Sequence, residues 1–560
     1  MIKHVAIKLL LLVAVAVIAI PVEVFPAQEQ PRQGIASAHP LATAAGYEIL
    51  SQGGNAFDAA VAVSAVLTVV EPFSSGLGGG GFYLLHRAKD GLQIMVDGRE
   101  TAPAAATADM YLNENGDVDR SRVREGALAA AIPGTPAALA HMAEKYGNLS
   151  LSESLQPAIR LARDGFTMDR RFAGMIATYE ARLKRHCEPG CPFLVNGEPV
   201  QAGAYFRQPE LARSLQRIAD KGVSEFYSGA LAEKMVAEIR KRGGIWTLAD
   251  LRSYRVKERV PATGKFHGLS IVTAAPPSSG GVILIEVLNI LSGYNLATLD
   301  DITRRHVIVE AFRRAYRDRN EYMGDPGFVS MPLDMLMHTQ YAAGLRATIR
   351  LDRATPSYIL PPVVPLHEGN DTSHFSIIDS AGNRVAATQT INLRFGSGIV
   401  PPGTGITLND EMDDFTAKLG EPNTFGLVQG RANMVQPGKR PLSSSSPTFV
   451  ESDRGVAVLG TPGGSRIISM VVLAILDYVD GGNAKSMAAV PRFHHQFVPD
   501  QIQYEPGALD AEMVSRLEAM GHTTRVLSRR YGNMNVVTWE RETGLVETST
   551  DPRNEVLVDF

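Results

Sequence analysis

The chain is 560 residues long, 45% hydrophobic and 20% charged, with 55 basic against 59 acidic side chains. That is the profile of an ordinary globular protein with ample material for a buried core. A formal net charge of −4 and the lack of any Lys/Arg run leave no electrostatic footprint for a polyanion, which argues against nucleic acid as a partner. Two cysteines exclude a disulfide scaffold and a four-thiolate zinc site.

Lys3, His4 and Lys8 precede an apolar run from Leu9 to Ile20, which Pro21, Glu23 and Pro26 close. Its 12 residues are too few for a bilayer core that needs about 20. The run reads as the apolar region of a secretory signal over residues 1–27, with Ala27 the last residue removed, although Phe25 stands where a small residue is preferred. An uncleaved N-terminal anchor is the alternative. Removing residues 1–27 takes the formal charge from −4 to −5. The protein is thus expected to be exported, periplasmic or secreted, or held at the membrane if the signal stays. Export permits oxidation of Cys187 and Cys191 in CEPGC, where a loop staple and two free thiols are both compatible with the sequence.

Residues 39–52 and 55–70 carry Ala and Leu at helical spacing, and the second segment is apolar on most of its circumference, so it is expected to be buried. FYLLHR and LQIMVD then read as strands around Ala88-Lys89-Asp90-Gly91. Helical patterns dominate from Pro136 to about Lys241 and again around 280–322. The character changes near residue 372: TSHFSIIDSAGNRVAATQTINL predicts two strands about a turn at Ser380–Asn383, and PTFVESDRGVAVLG repeats the design around Asp453-Arg454-Gly455. Residues 465–479 return to helix. Hairpins flanked by runs of helices predict antiparallel sheet covered by helices, an α+β class packed as one unit.

GLGGGG at 76–81 formally satisfies GxGxxG, but that fingerprint requires a strand before it and a helix after it, and here the order is reversed. A tight turn where backbone passes close to backbone fits better. No GxSxG elbow, HExxH or Walker lysine is present. His494-His495 has no acidic or sulfur partners spaced to complete a metal site and reads as a structural pair.

Small hydroxyl and glycine clusters remain. KRPLSSSSPTF places Ser443 to Ser446 before a strand, and GTPGGSR places Gly463-Gly464 between a strand and a helix start. Backbone N–H groups at a helix N-terminus suit a carboxylate or a developing oxyanion, while plain turn and cap chemistry would explain the same residues. Arg99 in DGRETAP follows a predicted strand, where its guanidinium could fork onto a carboxylate.

Through GGNAFDAAVAV, GLGGGGF, DGRETAP, PPSSGG, DTSHFSIID, NDEMDDF, PGKRPLSSSSPT, GTPGGSR and STDPRNE, the chain resembles the γ-glutamyltransferases of the N-terminal-nucleophile hydrolase superfamily. The blocks run in order from about Ala36 to the C-terminus. The resemblance implies a four-layer αββα sandwich, made as a precursor that cleaves itself between Asp371 and Thr372 into two intertwined subunits, 28–371 and 372–560. Thr372 would then carry both the nucleophilic hydroxyl and, in its freed α-amino group of pKa about 7.7–8.0, the base that activates it.

Residue by residue, the resemblance assigns Arg99, Ser443 and Ser444 to the clamp on the substrate α-carboxylate, and Asn392, Glu411 and Asp414 to its α-ammonium. Gly463 and Gly464 match the oxyanion donors, Thr390 the hydroxyl that supports the nucleophile, and Phe425 the lid, where some relatives carry Tyr. The implied activity is transfer of the γ-glutamyl group of glutathione or a related donor, through a γ-glutamyl-threonine ester, to water or to an amino-acid or peptide amine. No metal or organic cofactor is called for. A cephalosporin or glutaryl acylase of the same superfamily is the alternative, which Asp414 argues against, as is a non-catalytic amino-acid-binding relative, which has no use for a nucleophile facing an oxyanion hole.

Overall fold

The computed structural model describes residues 32–187, 190–360 and 372–553. The signal reading over 1–27 and the cleavage residue Asp371 lie outside them. Among the described residues, no helix is long and apolar enough to cross a membrane.

The strands of the two large sheets all pair antiparallel. In chain order they are β1 (Gly34–Ser37), β2 (Gly80–Arg87), β3 (Leu92–Asp97), β4 (Lys257–Arg259), β5 (Ala262–Phe266), β6 (Leu269–Thr273), β7 (Ser373–Ile378), β8 (Arg384–Thr390), β9 (Thr448–Glu451), β10 (Gly455–Gly460), β11 (Asn535–Glu540) and β12 (Val546–Thr550). The strands expected at β2, β3 and β7–β10 form, and six further strands join them. They build two six-stranded sheets, ordered β1-β7-β8-β2-β3-β4 and β12-β11-β10-β9-β6-β5. The turn between β7 and β8 is held by Asp379, whose Oδ1 accepts from the backbone N–H groups of Ala381 (3.0 Å) and Asn383 (2.9 Å), the local chemistry that makes Asp a turn residue.

Neither sheet has a wet face in its centre. Phe82 and Leu84 of β2 join Val272, Phe449, Val456 and Val458 of the second sheet in one apolar cluster, so the sheets pack face to face. Tyr83 and Leu85, on the other face of the same strand, enter a second cluster with helices α1 (Pro40–Ser51) and α2 (Ala56–Val70). The second sheet likewise turns Ile271, Val450 and Leu459 toward α3 (Gly280–Leu291), α4 (Asp301–Tyr322) and α5 (Ile467–Val479). A strand buried on both faces needs apolar residues at every position, which is why FYLLHR shows no alternation. All 15 residues of α2 are buried. Its start is set by a capping box, in which Asn55 accepts from Phe57 and Asp58 N–H while Asp58 accepts from Asn55 N–H.

Among the described residues, the strands within the helical stretch before residue 241 are each two residues long. Within it, Cys187 and Cys191 are joined by a disulfide, which decides between the two readings the sequence left open.

Candidate active site

Thr372 immediately precedes β7, and Thr390 closes β8. Because Ser373 pairs with Gln389 in the antiparallel register, the next pair outward brings the two threonines together, and Thr372 Oγ1 donates to Thr390 Oγ1 at 3.4 Å. Thr390 Oγ1 also accepts from Asn392 N–H at 2.7 Å. Asn392 adopts φ +69°, a left-handed conformation that Asn tolerates better than most residues, and its Nδ2 donates to Asp410 O at 3.0 Å. The glycine run supports this corner from behind. A Cβ on Gly79 would lie 2.0 Å from Thr390 O, so only glycine lets the two backbones approach, as the turn reading anticipated.

Arg99, just beyond β3, is buried, and its backbone is held by Asp97 Oδ1, which accepts its N–H at 2.9 Å. The guanidinium donates to Glu411, to Asp414 Oδ2 at 2.5 Å, and to the carbonyls of Pro441 (3.1 Å) and Leu442 (3.2 Å). Residues expected to read opposite ends of a substrate amino acid therefore hold one another. Burial works against the Arg99 charge, but Glu411 and Asp414 more than offset it and keep the group protonated. Burial likewise holds Glu411 well above the usual carboxylate range, and Glu411 Oε2 has no hydrogen-bond partner. Glu100 lies beneath them, 3.7 Å from the Arg99 guanidinium. Its burial, only partly countered by Arg99, raises it to about 7.

The serine run is positioned by PPSSGG, a block whose role the sequence left unassigned. Ser443 N–H donates to Pro277 O (3.0 Å), and Ser443 O accepts from both the N–H (2.9 Å) and the hydroxyl (2.7 Å) of Ser279. Ser444 Oγ accepts from Arg319 Nη2 at 3.0 Å, and Arg319 Nε donates to Ser279 Oγ at 2.9 Å. Gly463 and Gly464 lie between β10 and α5 at φ +148° and +56°. Phe425 covers the turn: a Cβ on Gly464 would stand 2.2 Å from its ring.

Thr372, Thr390, Asn392, Arg99, Glu411, Asp414, Ser443, Ser444, Phe425 and Gly464 all line one cavity. Among the described residues, Gly463 is the single expected one outside that lining, one position behind Gly464. With the Arg99 fork closed on its two acids, the cavity measures about 20 Å³, room for about one water.

Arg319 also lines this cavity and was not anticipated. It lies on α4 among other buried arginines, and an arginine-rich helix looks like a solvated one until packing is known. Burial brings it down to about 10. Arg440 was missed too: it donates to Asp97 Oδ1 (2.6 Å) and to Arg99 O (3.0 Å), fixing the segment that carries the clamp.

His494 and His495 are buried and hydrogen-bonded, His494 to Ser469 (2.8 Å) and Gln496 (2.9 Å), and His495 to Asp500 (3.2 Å). Among the described residues, His306, Glu310 and His522 bring ligand-type atoms within 4.8 Å of one another. Those atoms are engaged already: Glu310 by Arg313 and Arg314, and the imidazoles by each other, by Arg350 O and by Arg313. Two guanidinium groups against the carboxylate make this a buried polar network, unsuited to a cation.

With its two face-to-face antiparallel sheets covered by helices, the chain has the fold class of the N-terminal-nucleophile hydrolases, as the solved structures it resembles show. The fold matches a cephalosporin acylase from Bacillus halodurans with a TM-score of 0.82 and 27% identity, over 97% of this chain and 98% of that one. It matches the Helicobacter pylori gamma-glutamyltranspeptidase with a TM-score of 0.58 and 40% identity, over 60% of this chain and 97% of that one. In sequence it is 44% identical over 492 residues to the glutathione hydrolase proenzyme of Pseudomonas sp. (strain A14), covering 87% of this chain and 85% of the relative. The gamma-glutamyltranspeptidase family profile matches residues 42–558, and the chain belongs to that family.

Proposed function

We propose that the protein is a γ-glutamyltransferase and glutathione hydrolase that matures by cleaving its own chain before Thr372. The observation that carries this reading is the Thr372–Thr390 hydroxyl contact of 3.4 Å, inside a cavity shared with Arg99, Asp414 and Gly464. The glutathione hydrolase relative described above supports the same chemistry. In this mechanism the freed α-amino group of Thr372 takes the proton of its own hydroxyl as Oγ1 attacks the γ-amide carbonyl. Backbone N–H groups at Gly463 and Gly464 would meet the developing oxyanion, in a site where such donors are worth more than in water. Loss of the amine leaves a γ-glutamyl ester, which water or a second amine then takes.

The substrate α-carboxylate and α-ammonium replace an internal ion pair. Arg99 passes from Asp414 and Glu411 to the substrate carboxylate, with Ser443 and Ser444 as neighbours, while the released acids and Asn392 accept from the ammonium. Exchange of one charged pair for another spares the site the desolvation of bare charges. In the same reading residues 28–371 and 372–560 are the two subunits of one αββα sandwich, residues 1–27 direct export, and no metal or cofactor takes part.

The likeness to a cephalosporin acylase favours a second reading, cleavage of a glutaryl-type amide. A glutaryl group has no ammonium, and Glu411 and Asp414 together would face it with nothing to satisfy. Thr372→Ala tests the main reading. It should give one uncut chain with no turnover of a γ-glutamyl anilide, where the natural protein gives two chains on a denaturing gel. Two chains of the same sizes from the variant would refute it.

A further inference from the structure

A second cavity, of about 450 Å³, is lined by Arg171, Arg394, Arg529, Arg530, Arg553 and Asn533 among others. No acidic side chain lines it among the described residues. Arg171 donates to Glu71, and Arg553 to Glu505 (2.7 Å) and Asp551 (3.1 Å). Arg529 and Arg530 are exposed and make no ion pair with a described residue. Arg171 and Arg394 stand over the same Phe73 ring at 5.4 and 5.3 Å. Guanidinium groups gathered around one cavity repel each other unless an anion comes between them.

Two neutral groups in the lining are also unsatisfied. The Asn533 carboxamide, buried, neither donates nor accepts, and the buried Tyr531 hydroxyl has no partner. Buried polar groups are normally paired, so both want a ligand. A hydroxyl, a carboxamide and several guanidinium forks together suit carboxylates.

Three links along hydrogen bonds and the chain run from the cavity's lining toward the residues of the reacting centre. Glu71, which holds Arg171, accepts from the hydroxyl of Ser373, the neighbour of Thr372, at 2.7 Å. Arg394 is two residues from Asn392. Asn533 N–H donates to the hydroxyl of Thr461, two residues before Gly463, at 3.2 Å.

We propose that this cavity binds the carboxylates of the amine partner, the amino acid or peptide that departs as the ester forms and the one that attacks it in transfer, and that it favours acidic peptides. The inference rests on the γ-glutamyl transfer reading above. In transfer the acceptor nitrogen bonds to the ester carbonyl carbon as the bond from that carbon to Thr372 Oγ1 breaks, and the proton shed by the nitrogen goes to Thr372. Carboxylates held by the arginines would keep that nitrogen close while the glutamyl group occupies the first cavity.

The test compares an aspartyl dipeptide acceptor with the same dipeptide capped as its amides, using a γ-glutamyl anilide donor, in the natural protein and in Arg529→Ala/Arg530→Ala. Both positions are exposed, so folding is spared. The ratio of transfer rates, acidic over capped, should fall about tenfold in the variant and recover in part with Arg529→Lys/Arg530→Lys. Separately, N-acetyl-aspartyl-glycine, which has no free amine to transfer to, should bind by calorimetry, and the same double alanine variant should weaken it about tenfold. Raising the salt from about 0.05 to about 0.5 M should weaken it too. An unchanged ratio together with unchanged or absent binding overturns the proposal. Binding that behaves as expected in a protein with no anilide turnover would overturn the transfer reading and leave the anion site standing.

Discussion

Asp414 Oδ2 stands 2.5 Å from Arg99 Nη2, so the acid expected to hold a substrate ammonium is bonded to the base expected to hold its carboxylate. The pair joins residues 315 positions apart, and Arg99 is almost wholly buried. A pair in that setting gains its Coulomb energy only because each charge has the other. A zwitterionic amino-acid group can take both places at once. A ligand with a carboxylate alone would leave the acids facing one another.

Asp414→Asn keeps the shape and removes the charge. A charge-assisted contact of about 1.5–3 kcal/mol corresponds to a loss of about 10- to 100-fold in kcat/KM for a γ-glutamyl donor, while a glutaryl donor should gain relative to it. Measuring both donors in both proteins checks this, and an unchanged ratio would remove Asp414 from the role of ammonium reader.

Arg319 acts through Ser444 and Ser279, so it is a positioning residue. Arg319→Ala should raise KM about tenfold or more, because a lost charged hydrogen bond is worth about 1.5–3 kcal/mol. Arg319→Lys should restore little, since a point charge cannot span two serines in one plane. The discriminating measurement is Ser444→Ala in each background: if Arg319 works through Ser444, the second substitution adds little to the first.

Glu100 gives stability a defined pH dependence. Its ordinary value of 4.5 is raised to about 7 in the fold, so between those values the folded chain keeps a proton that the unfolded chain has released. The stability of the neutral form is fully present below the unfolded value and is lost as pH rises through the folded one. The melting temperature of the natural protein should therefore fall more between pH 5 and pH 8, a span chosen to bracket that window, than that of Glu100→Gln. Parallel curves for the two proteins would place the titration elsewhere.

Gly464→Ala meets two obstacles, a backbone at φ +56° and the Phe425 ring 2.2 Å from the new methyl group. The first costs about 1–2 kcal/mol whatever the surroundings; the second exists only while Phe425 is present. Turnover of Gly464→Ala should thus fall steeply, and adding Phe425→Ala should recover part of it, with a coupling of about 0.5–3 kcal/mol. Strict additivity of the two changes would show that Phe425 does not rest on the turn in solution.

Local elements were legible in the sequence wherever neighbours along the chain make the decision. The turn at Ser380–Asn383 and the apolar circumference of α2 need only residues a few positions apart, and both were readable before any fold was known. The disulfide needed the backbone as well: Cys187 and Cys191 are close in sequence, yet only their placement chose between a bond and two thiols. What joined Arg99 to Glu411 and Asp414, Arg319 to Ser444, or Arg529 to the arginines of distant segments was tertiary structure alone. An arginine in a chain carries no mark of whether it will meet water, an acid or another arginine. Burial makes that choice, because a guanidinium withdrawn from water must find partners wherever the packing of two sheets and their helices has put them.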